Sequence, residues 1–586
     1  MKPQPPVTRM RIAARTSSGE GDALADFPAL RDQLEVWRTH LAETGWTPWL
    51  ILSLAVFLRF FLLGIKPPHF DEGINGWFVD QMMKNGFYRY DPTNYHGPLH
   101  FYVLLLSQTL FGRNVWALRL PVVLVSISCV WLCFKFEPLV GRNVSRIAAL
   151  AMALSPGFVF YGRYSIHEVW LVLFSMLFIL GLLGLWKFGT PNYLWCAGMG
   201  VAGMILTKET YIIHLGCAAL AVPVLYVSNA LDRLPDARPA RQKWDSADLA
   251  MVTGIGVLAI VFFYSGTFLH WNGVKGLYEA YKPWFETGQA GHGHEKPWHY
   301  WLELIARYEL PVLTGLLLCL FCQLFKNLSL RYLAIYGVGT LIAYSIVNYK
   351  TPWCIINIAW PFLFIFGAAV VLSPFKLDMK TYGALTLMLC ALLGWALWAQ
   401  TFSGFDAWWP FFVIPGGALI FAALRDRRAI YAISGILLCA SLGSTIWLNY
   451  FRCTTDTEPY VYVQTYNDIF KLTRPLLQLA KRDPVYYQLT GHMIRTSPYP
   501  LPWILDDFAH VGYYEQGNLP EKLDADFLLV QEDRIKEVEP KLHNAYYTEP
   551  LRVRAYQETS KLYLSAKIFK EFFPDRAPDF FGKGPG

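Results

Sequence analysis

Residues 46–65, WTPWLILSLAVFLRFFLLGI, form an apolar run of twenty residues with a single charge, Arg59. As a helix, a run of that length covers the hydrocarbon core of a bilayer. It follows a polar segment of 45 residues that carries Arg9, Arg11 and Arg15, and no small-residue cleavage site comes after it. Its length and its distance from the N-terminus therefore read as a retained span and not as a signal peptide.

Comparable runs recur at about 118–137, 146–162, 169–187, 193–207, 211–228, 249–268, 309–326, 332–347, 355–372, 382–400, 410–424 and 429–449. The expected architecture is an all-α polytopic membrane protein of about thirteen transmembrane helices over residues 46–449. Composition agrees: 54% of residues are apolar and only 16% charged, against about 25% charged in ordinary globular chains.

A net charge of +7 gives no reason to expect nucleic acid, because its content lies in where the positives sit. Leu99 to Phe111 is apolar but has only 13 residues, below the roughly 17 needed to cross, and reads as an interfacial helix. With the N-terminus inside, the short inner loops then hold Lys135, Arg142 and Arg146, Lys187, Arg241 and Lys243, and the cluster Arg425, Arg427 and Arg428. Making 99–111 a span would invert all of them against the positive-inside rule. The expected location is a cell (inner or plasma) membrane, with the N-terminus cytoplasmic and the C-terminus outside.

The outer loops, chiefly 66–117 and 269–308, collect eight of the thirteen histidines, among them His69, His96, His292 and His294. Enrichment on one side only points to a site there. From about 450 the composition changes: short β-like runs (460–464, 485–489, 527–531) and a helical stretch near 467–481 predict a small α/β extracytoplasmic domain over 450–586. Residues 1–26 read as disordered and 27–43 as a short amphipathic helix. Eight of the ten cysteines fall inside predicted spans, so no disulfide framework is implied.

Three constellations carry chemistry. His69-Phe70-Asp71-Glu72 puts two carboxylates where the first span meets water. On a helix they diverge by about 100°, so one can act as an acid or base while the other caps the helix that follows; both can also be caps. Arg59, inside the span before them, asks for a carboxylate or phosphate near the outer face, or else snorkels to the surface. His96 and His294, the latter in His292-Gly293-His294-Glu295, are metal-like in type for a divalent ion (Zn, Mg or Mn), although histidines in a glycine-rich loop are more often solvent-facing. Arg163, Lys208 and Lys350 are cations at predicted outer span ends, with Glu168 among them, and together suggest a bound phosphate or pyrophosphate. No nucleotide-binding or zinc-protease motif is present.

The order of these pieces resembles a known family. An Arg-bearing first span and an acidic pair are followed by Tyr95-His96-Gly97-Pro98, then Arg119-Leu120-Pro121 opening a span. Ser155-Pro156 precedes an outer acid, Thr207-Lys208 follows, and Lys350-Thr351-Pro352 closes the series. This is the order of the GT-C membrane glycosyltransferases. The likeness is nearest to the branch of protein O-mannosyltransferases and lipid A aminoarabinose transferase, and within it to prokaryotic flippase-activity-associated proteins. It covers about 46–372.

The resemblance implies a polyprenyl-phosphate sugar as donor, transfer to a protein, lipid or glycan acceptor at the outer face, and inversion at the anomeric carbon. It matches Asp71 to the acceptor-activating acid and Glu168 to the second outer acid. His96 and His294 fall at metal-binding positions of the aminoarabinose transferase. That relative's phosphate-holding lysine is Gly97 here, which leaves Arg59, Lys208 and Lys350 to cover the donor phosphate. The alternative is a translocation or glycan-assembly factor that keeps the fold and transfers nothing; a metal or proton transporter is a weaker third reading, lacking a relay across the spans.

Overall fold

The computed structural model describes residues 45–94, 96–232, 239–290, 293–319, 326–372, 427–515 and 517–582. The predicted spans at 382–400 and 410–424, and the segments at 1–26 and 27–43, lie outside the described residues. The described residues from Ile51 onward pack as one unit.

The helices that matter for the site are α1 (Thr47–Phe60), α2 (Phe70–Asn85), α3 (Leu99–Phe111), α4 (Val115–Lys135), α5 (Arg142–Leu154), α6 (Pro156–Tyr161), α7 (Glu168–Phe188) and α8 (Pro191–Ile205). They are followed by α9 (Tyr211–Leu231), α10 (Ser246–Tyr264), α11 (Asn272–Glu279), α12 (Tyr281–Ala290), α13 (Tyr300–Tyr308), α14 (Leu310–Cys319), α15 (Leu328–Ile346), α16 (Ile355–Leu372) and α17 (Arg427–Ile446). The largest apolar core is shared by α4, α5, α7, α15 and α16, and encloses Trp301, Tyr336 and Trp360.

Among the described residues six helices are long and apolar enough to cross a membrane, fewer than the thirteen expected. The expected span at 146–162 is two helices. Pro156 disfavours helical backbone at the residue before it and has no N–H to give. Ser155 accordingly turns out to ψ 128° and caps α6, its side chain accepting from the Phe158 N–H. Helices α3 and α8 have 13 and 15 residues, short of a span. Helix α15 has 19 residues but carries Arg331 and three tyrosines.

The chain then leaves the helices through a connector whose Cys453, Tyr460 and Val461 stay buried in the helical core. Tyr460 stacks on Tyr308 at 4.1 Å, and its hydroxyl donates to Glu309 Oε1 at 3.3 Å. Glu309 also accepts from Ser155 Oγ and from the Gly157 N–H, both at 2.7 Å. The β-like run at 460–464 is therefore no strand; its Tyr460 and Val461 serve the helical core instead.

Beyond it lies a small domain built on one sheet of six strands: β1 (Thr490–Ile494), β2 (His510–Tyr514), β3 (Phe527–Gln531), β4 (Ala545–Leu551), β5 (Ser560–Ser565) and β6 (Asp579–Phe580), in the order β2-β1-β3-β5-β4-β6. β1 runs parallel to both β2 and β3, and the other pairings are antiparallel. Helix α18 (Ile469–Arg482) lays Ile469, Leu472, Leu476 and Leu479 on one face of the sheet, the i, i+3, i+7, i+10 spacing of an amphipathic helix. Of residues 485–489, expected as a strand, 485–488 lie in a 3-10 turn, Pro484–Gln488, and Leu489 is its C-cap.

Candidate active site

Helix α2 carries both members of the acidic pair, and its first turn separates them. His69 is the N-cap: the Asp71 N–H donates to His69 Nδ1 at 3.1 Å. Its other ring nitrogen, Nε2, lies 2.8 Å from the Tyr462 carbonyl oxygen. With Nδ1 accepting, Nε2 must carry the proton, so the ring is neutral. Burial lowers its pKa in agreement, against the raising effect of Asp71. Glu72, at the third helical position, reaches back to accept from the His69 N–H at 2.8 Å. This is a capping box in which histidine stands where serine or threonine is usual.

Glu72 has no exposure and no freedom. Arg119 Nε donates to its Oε1 at 2.8 Å and Nη2 to its Oε2 at 2.7 Å. The Ser165 N–H adds a further bond at 2.9 Å. Burial by itself would raise the carboxyl, but the Arg119 guanidinium and its hydrogen bonds, with Lys66 and the His69 amide, outweigh that and hold it at about 2. Arg119 also donates to the carbonyls of Leu63, Lys66 and Pro67. The pair therefore ties α4 to the chain leading into α2. Glu72, expected among the catalytic residues, is an internal ion pair.

Asp71 points the other way. Its side chain is 32% exposed, and it lines a cavity of about 510 Å³, a size typical of small-ligand sites. His96, Glu168, Lys208 and His294 line the same cavity. Five side chains picked from five separate stretches of sequence thus meet at one place.

Two carboxylate contacts dominate the wall, one to a lysine and one to a histidine. Glu168 opens α7, at the positive end of the helix, and is paired with Lys208 on the turn after α8. Burial lowers the Lys208 ammonium, but Glu168 more than reverses this and holds the lysine well above its usual range. His96 Nδ1 lies 3.3 Å from Glu209 Oε2. His167 packs against the rings of His96 and His100, with centroids 4.7 and 4.5 Å apart. It is buried, lines the cavity, and its Nε2 has no hydrogen-bond partner among the described residues. Burial, reinforced by the neighbouring histidines and Lys208, keeps that ring neutral.

Gly97 explains why this chain lacks a lysine beside His96. Its N–H donates to the Thr207 carbonyl at 3.1 Å, and a Cβ there would meet the Leu206 oxygen at 2.2 Å. No side chain fits.

Three expected phosphate ligands lie elsewhere. Arg59 is fully buried and donates to the carbonyls of Met152 and Ala153, each at 3.3 Å, and to Ser126 at 2.7 Å. Those carbonyls are the ones the break at Pro156 leaves without intrahelical donors: Pro156 has no N–H for Met152, and the Gly157 N–H goes to Glu309. Arg163 donates to the carbonyls of Leu58, Phe61 and Leu62 at 2.7–3.0 Å, capping the end of α1. Lys350 donates to the carbonyls of Lys296 and Val347 and holds the 294–296 segment against 348–350.

The metal expected at His96 and His294 finds no matching ligand set. His96 faces Glu209, whereas His294 Nδ1 is 2.7 Å from the Tyr462 hydroxyl. Among the described residues no group of three or more His, Cys, Asp or Glu could hold an ion; His292 lies outside them. Sequence reading missed Glu209 and the open ring of His167, although both adjoin residues it singled out.

Residues 95–235 match the family described as dolichyl-phosphate-mannose-protein mannosyltransferase. The fold is similar to that of ArnT from Cupriavidus metallidurans bound to undecaprenyl phosphate: TM-score 0.54 and 16% identity over 89% of this chain and 98% of that one. For ArnT from the same organism in the apo state the TM-score is 0.55 and the identity 16%, over 90% and 99%. No curated protein matches the chain. The chain thus has the GT-C glycosyltransferase fold and resembles the ArnT branch of it.

Proposed function

We propose that this chain transfers a sugar from a polyprenyl-phosphate donor to an acceptor hydroxyl at the outer membrane face, with Asp71 as the acceptor-activating base. One observation carries the reading: Asp71 opens into the shared cavity while its neighbour Glu72 is consumed by Arg119. One locked and one open carboxylate on the same first turn hold the open one on a rigid helix, which suits a general base. The match to a dolichyl-phosphate-mannose family and the undecaprenyl phosphate bound to ArnT support a polyprenyl-phosphate donor.

In this reading the acceptor oxygen attacks the anomeric carbon from the side opposite the phosphate. The carbon–oxygen bond to phosphate breaks, its electron pair leaves with polyprenyl phosphate, and the acceptor proton passes to Asp71. Lys208 and the unpartnered His167 Nε2 supply a cation and a hydrogen-bonding group for the phosphate, and Glu168 keeps Lys208 in place. Nearby carboxylates favour an oxocarbenium-like transition state. The prenyl chain stays in lipid beside the exposed apolar faces of the short helices.

The test is purified protein in lipid nanodiscs with radiolabelled polyprenyl-phosphate sugars and a panel of acceptors. Transfer by the wild type that collapses in Asp71→Asn supports the reading. A protein that moves the lipid-linked sugar across the bilayer and yields no glycosylated product overturns it in favour of a translocase.

A further inference from the structure

Helices α9 and α15 enclose three polar rings in a row. His214 of α9 and Tyr336 of α15 have no exposure, and Tyr344, about two turns after Tyr336, is 5% exposed. His214 Nδ1 lies 2.7 Å from the Tyr336 hydroxyl, and its Nε2 lies 3.2 Å from the Tyr344 hydroxyl. Of the three, Tyr344 alone lines the cavity that holds Asp71 and Lys208.

The row has one polarity. Both ring nitrogens of His214 meet hydroxyls, and no carboxylate pairs with the ring among the described residues. A charged imidazole at that depth would be uncompensated, so the ring is neutral. It then donates from one nitrogen and accepts at the other. Hydroxyl donors make bonds shorter than N–H donors do, by about 0.2 Å. The short contact is therefore Tyr336 donating to Nδ1, and the long one is Nε2–H donating to Tyr344. With its oxygen accepting from His214, Tyr344 has its own proton left to give.

The surroundings aim that proton at the cavity. Trp301 Nε1 donates to the Tyr344 carbonyl at 3.0 Å and pins the end of α15. The rings of His214 and Trp301 stand against the Tyr344 ring, with centroids 5.9 and 6.3 Å away. Thr210 precedes α9 directly and lies one turn before His214, so the two share a face. Thr210 also lines the cavity, and its Oγ1 is buried with no hydrogen-bond partner among the described residues. Tyr344 thus meets the cavity at its Lys208–Thr210 end. Apolar side chains would fill the His214 and Tyr336 positions without any polar group to satisfy. What the two enclosed rings add is a fixed direction for the one hydroxyl that reaches the site.

We propose that the Tyr344 hydroxyl donates a hydrogen bond to an oxygen of the sugar donor, on its phosphate or on its sugar, and that His214 is the positioning residue that keeps Tyr344 in that polarity. The inference rests on the glycosyl-transfer reading and adds a donor-recognising group to it.

Two measurements on the full chain in nanodiscs test it. Magic-angle-spinning NMR of protein carrying nitrogen-15 histidine, with His214 assigned by difference against His214→Phe, should find the proton on Nε2; a proton on Nδ1 overturns the inference. Calorimetry compares farnesyl phosphate with farnesyl-phosphate mannose. Tyr344→Phe should weaken both by about 10- to 100-fold if the acceptor is a phosphate oxygen, or the mannose-bearing probe alone by about 3- to 10-fold if it is a sugar hydroxyl. His214→Phe should weaken binding in the wild-type background and add nothing to Tyr344→Phe, whereas a merely structural histidine would act in both. Unchanged binding of both probes by folded Tyr344→Phe overturns the contact. Where melting curves show that this variant has unfolded, the tautomer of His214 in the wild type decides. Tyr344-dependent binding without any sugar transfer would sink the transferase reading alone, and transfer with an unchanged donor KM in Tyr344→Phe would sink this inference alone.

Discussion

Arg119 grips Glu72 with two parallel hydrogen bonds of 2.7 and 2.8 Å, and both side chains are sealed from solvent. That pair decides the direction of Asp71. Because consecutive helical residues diverge by about 100°, turning Glu72 into the bundle turns Asp71 toward the cavity.

Glu72→Gln should therefore be a stability variant. It leaves Arg119 buried without its counter-charge, which costs about 3–5 kcal/mol, and the melting temperature should fall accordingly. The carboxyl is held at about 2 against an ordinary 4.5. Its contribution is complete above about pH 4.5, declines as pH falls below that, and is gone once pH has dropped through about 2. Thermal melts of wild type and variant should hence differ by a constant amount between pH 5 and 8; a gap that closes within that range would contradict the assignment.

Asp71→Asn should behave in the opposite way. Its carboxylate is partly exposed and makes no bond that the fold depends on, so melting should be within about 0.5 kcal/mol of wild type. Transfer should drop by about 10²- to 10⁴-fold, the range for loss of a general base. Steady-state rates on folded protein check this.

Arg59 and Arg163 hold backbone carbonyls and do not reach the cavity. Arg59→Met should lower stability by about 2–4 kcal/mol through unpaired buried carbonyls. The donor KM of whatever protein remains folded should be unchanged. A selective rise in donor KM, with normal melting, would return Arg59 to the phosphate.

Helix α2 is also packed from the sheet side. A Cβ on Gly73 would meet Pro500 at 2.5 Å and one on Gly76 would meet the Trp503 indole at 2.5 Å. Arg113 reinforces the contact, bonding both oxygens of Asp80 at 3.0 Å and the Trp503 carbonyl. Gly76→Val should cost about 1–3 kcal/mol by overpacking. Limited proteolysis should then cut the connector near 455–465 faster than in wild type.

His100 adds a pH dependence. Trp170 Nε1 donates to its Nδ1 at 3.1 Å, and Ser165 Oγ lies 3.3 Å from Nε2. Burial pushes its pKa down from 6.5 to about 3, with His96 acting in the same direction. The folded ring stays neutral where the unfolded one takes a proton. Its share of stability is full above pH 6.5 and declines as pH falls toward 3, by about 2 kcal/mol at pH 5. His100→Gln should flatten that part of a stability–pH curve, read by melting in the same nanodiscs.

Much of the site was legible in the sequence, for a physical reason. Burying charge near a membrane is costly, so Asp71, Glu168 and Lys208 stand out against apolar neighbours, and all three line the cavity. The same logic misled at Arg59 and Arg163. Their partners are main-chain carbonyls freed by a helix break and a helix end, which no residue pattern displays until the breaks are known. Residue pattern alone left open which of Asp71 and Glu72 was the cap; the resemblance singled out Asp71, and Glu72's partner Arg119, 47 positions away, is visible only in the fold. The fold was read from apolar runs, which mark helices well but overstate spans where a proline splits them, as at Pro156.

The His69–Tyr462 contact carries a practical consequence for engineering. The cap of the helix bearing Asp71 is completed by the connector, and the connector's Tyr462 hydroxyl also meets His294. A chimera that exchanges the sheet domain with that of a relative, cut at the last helix, would therefore swap part of the cavity wall as well. A junction placed after Thr465, with the Pro500–Trp503 turn matched to Gly73 and Gly76, keeps the cavity native and transplants the sheet domain alone.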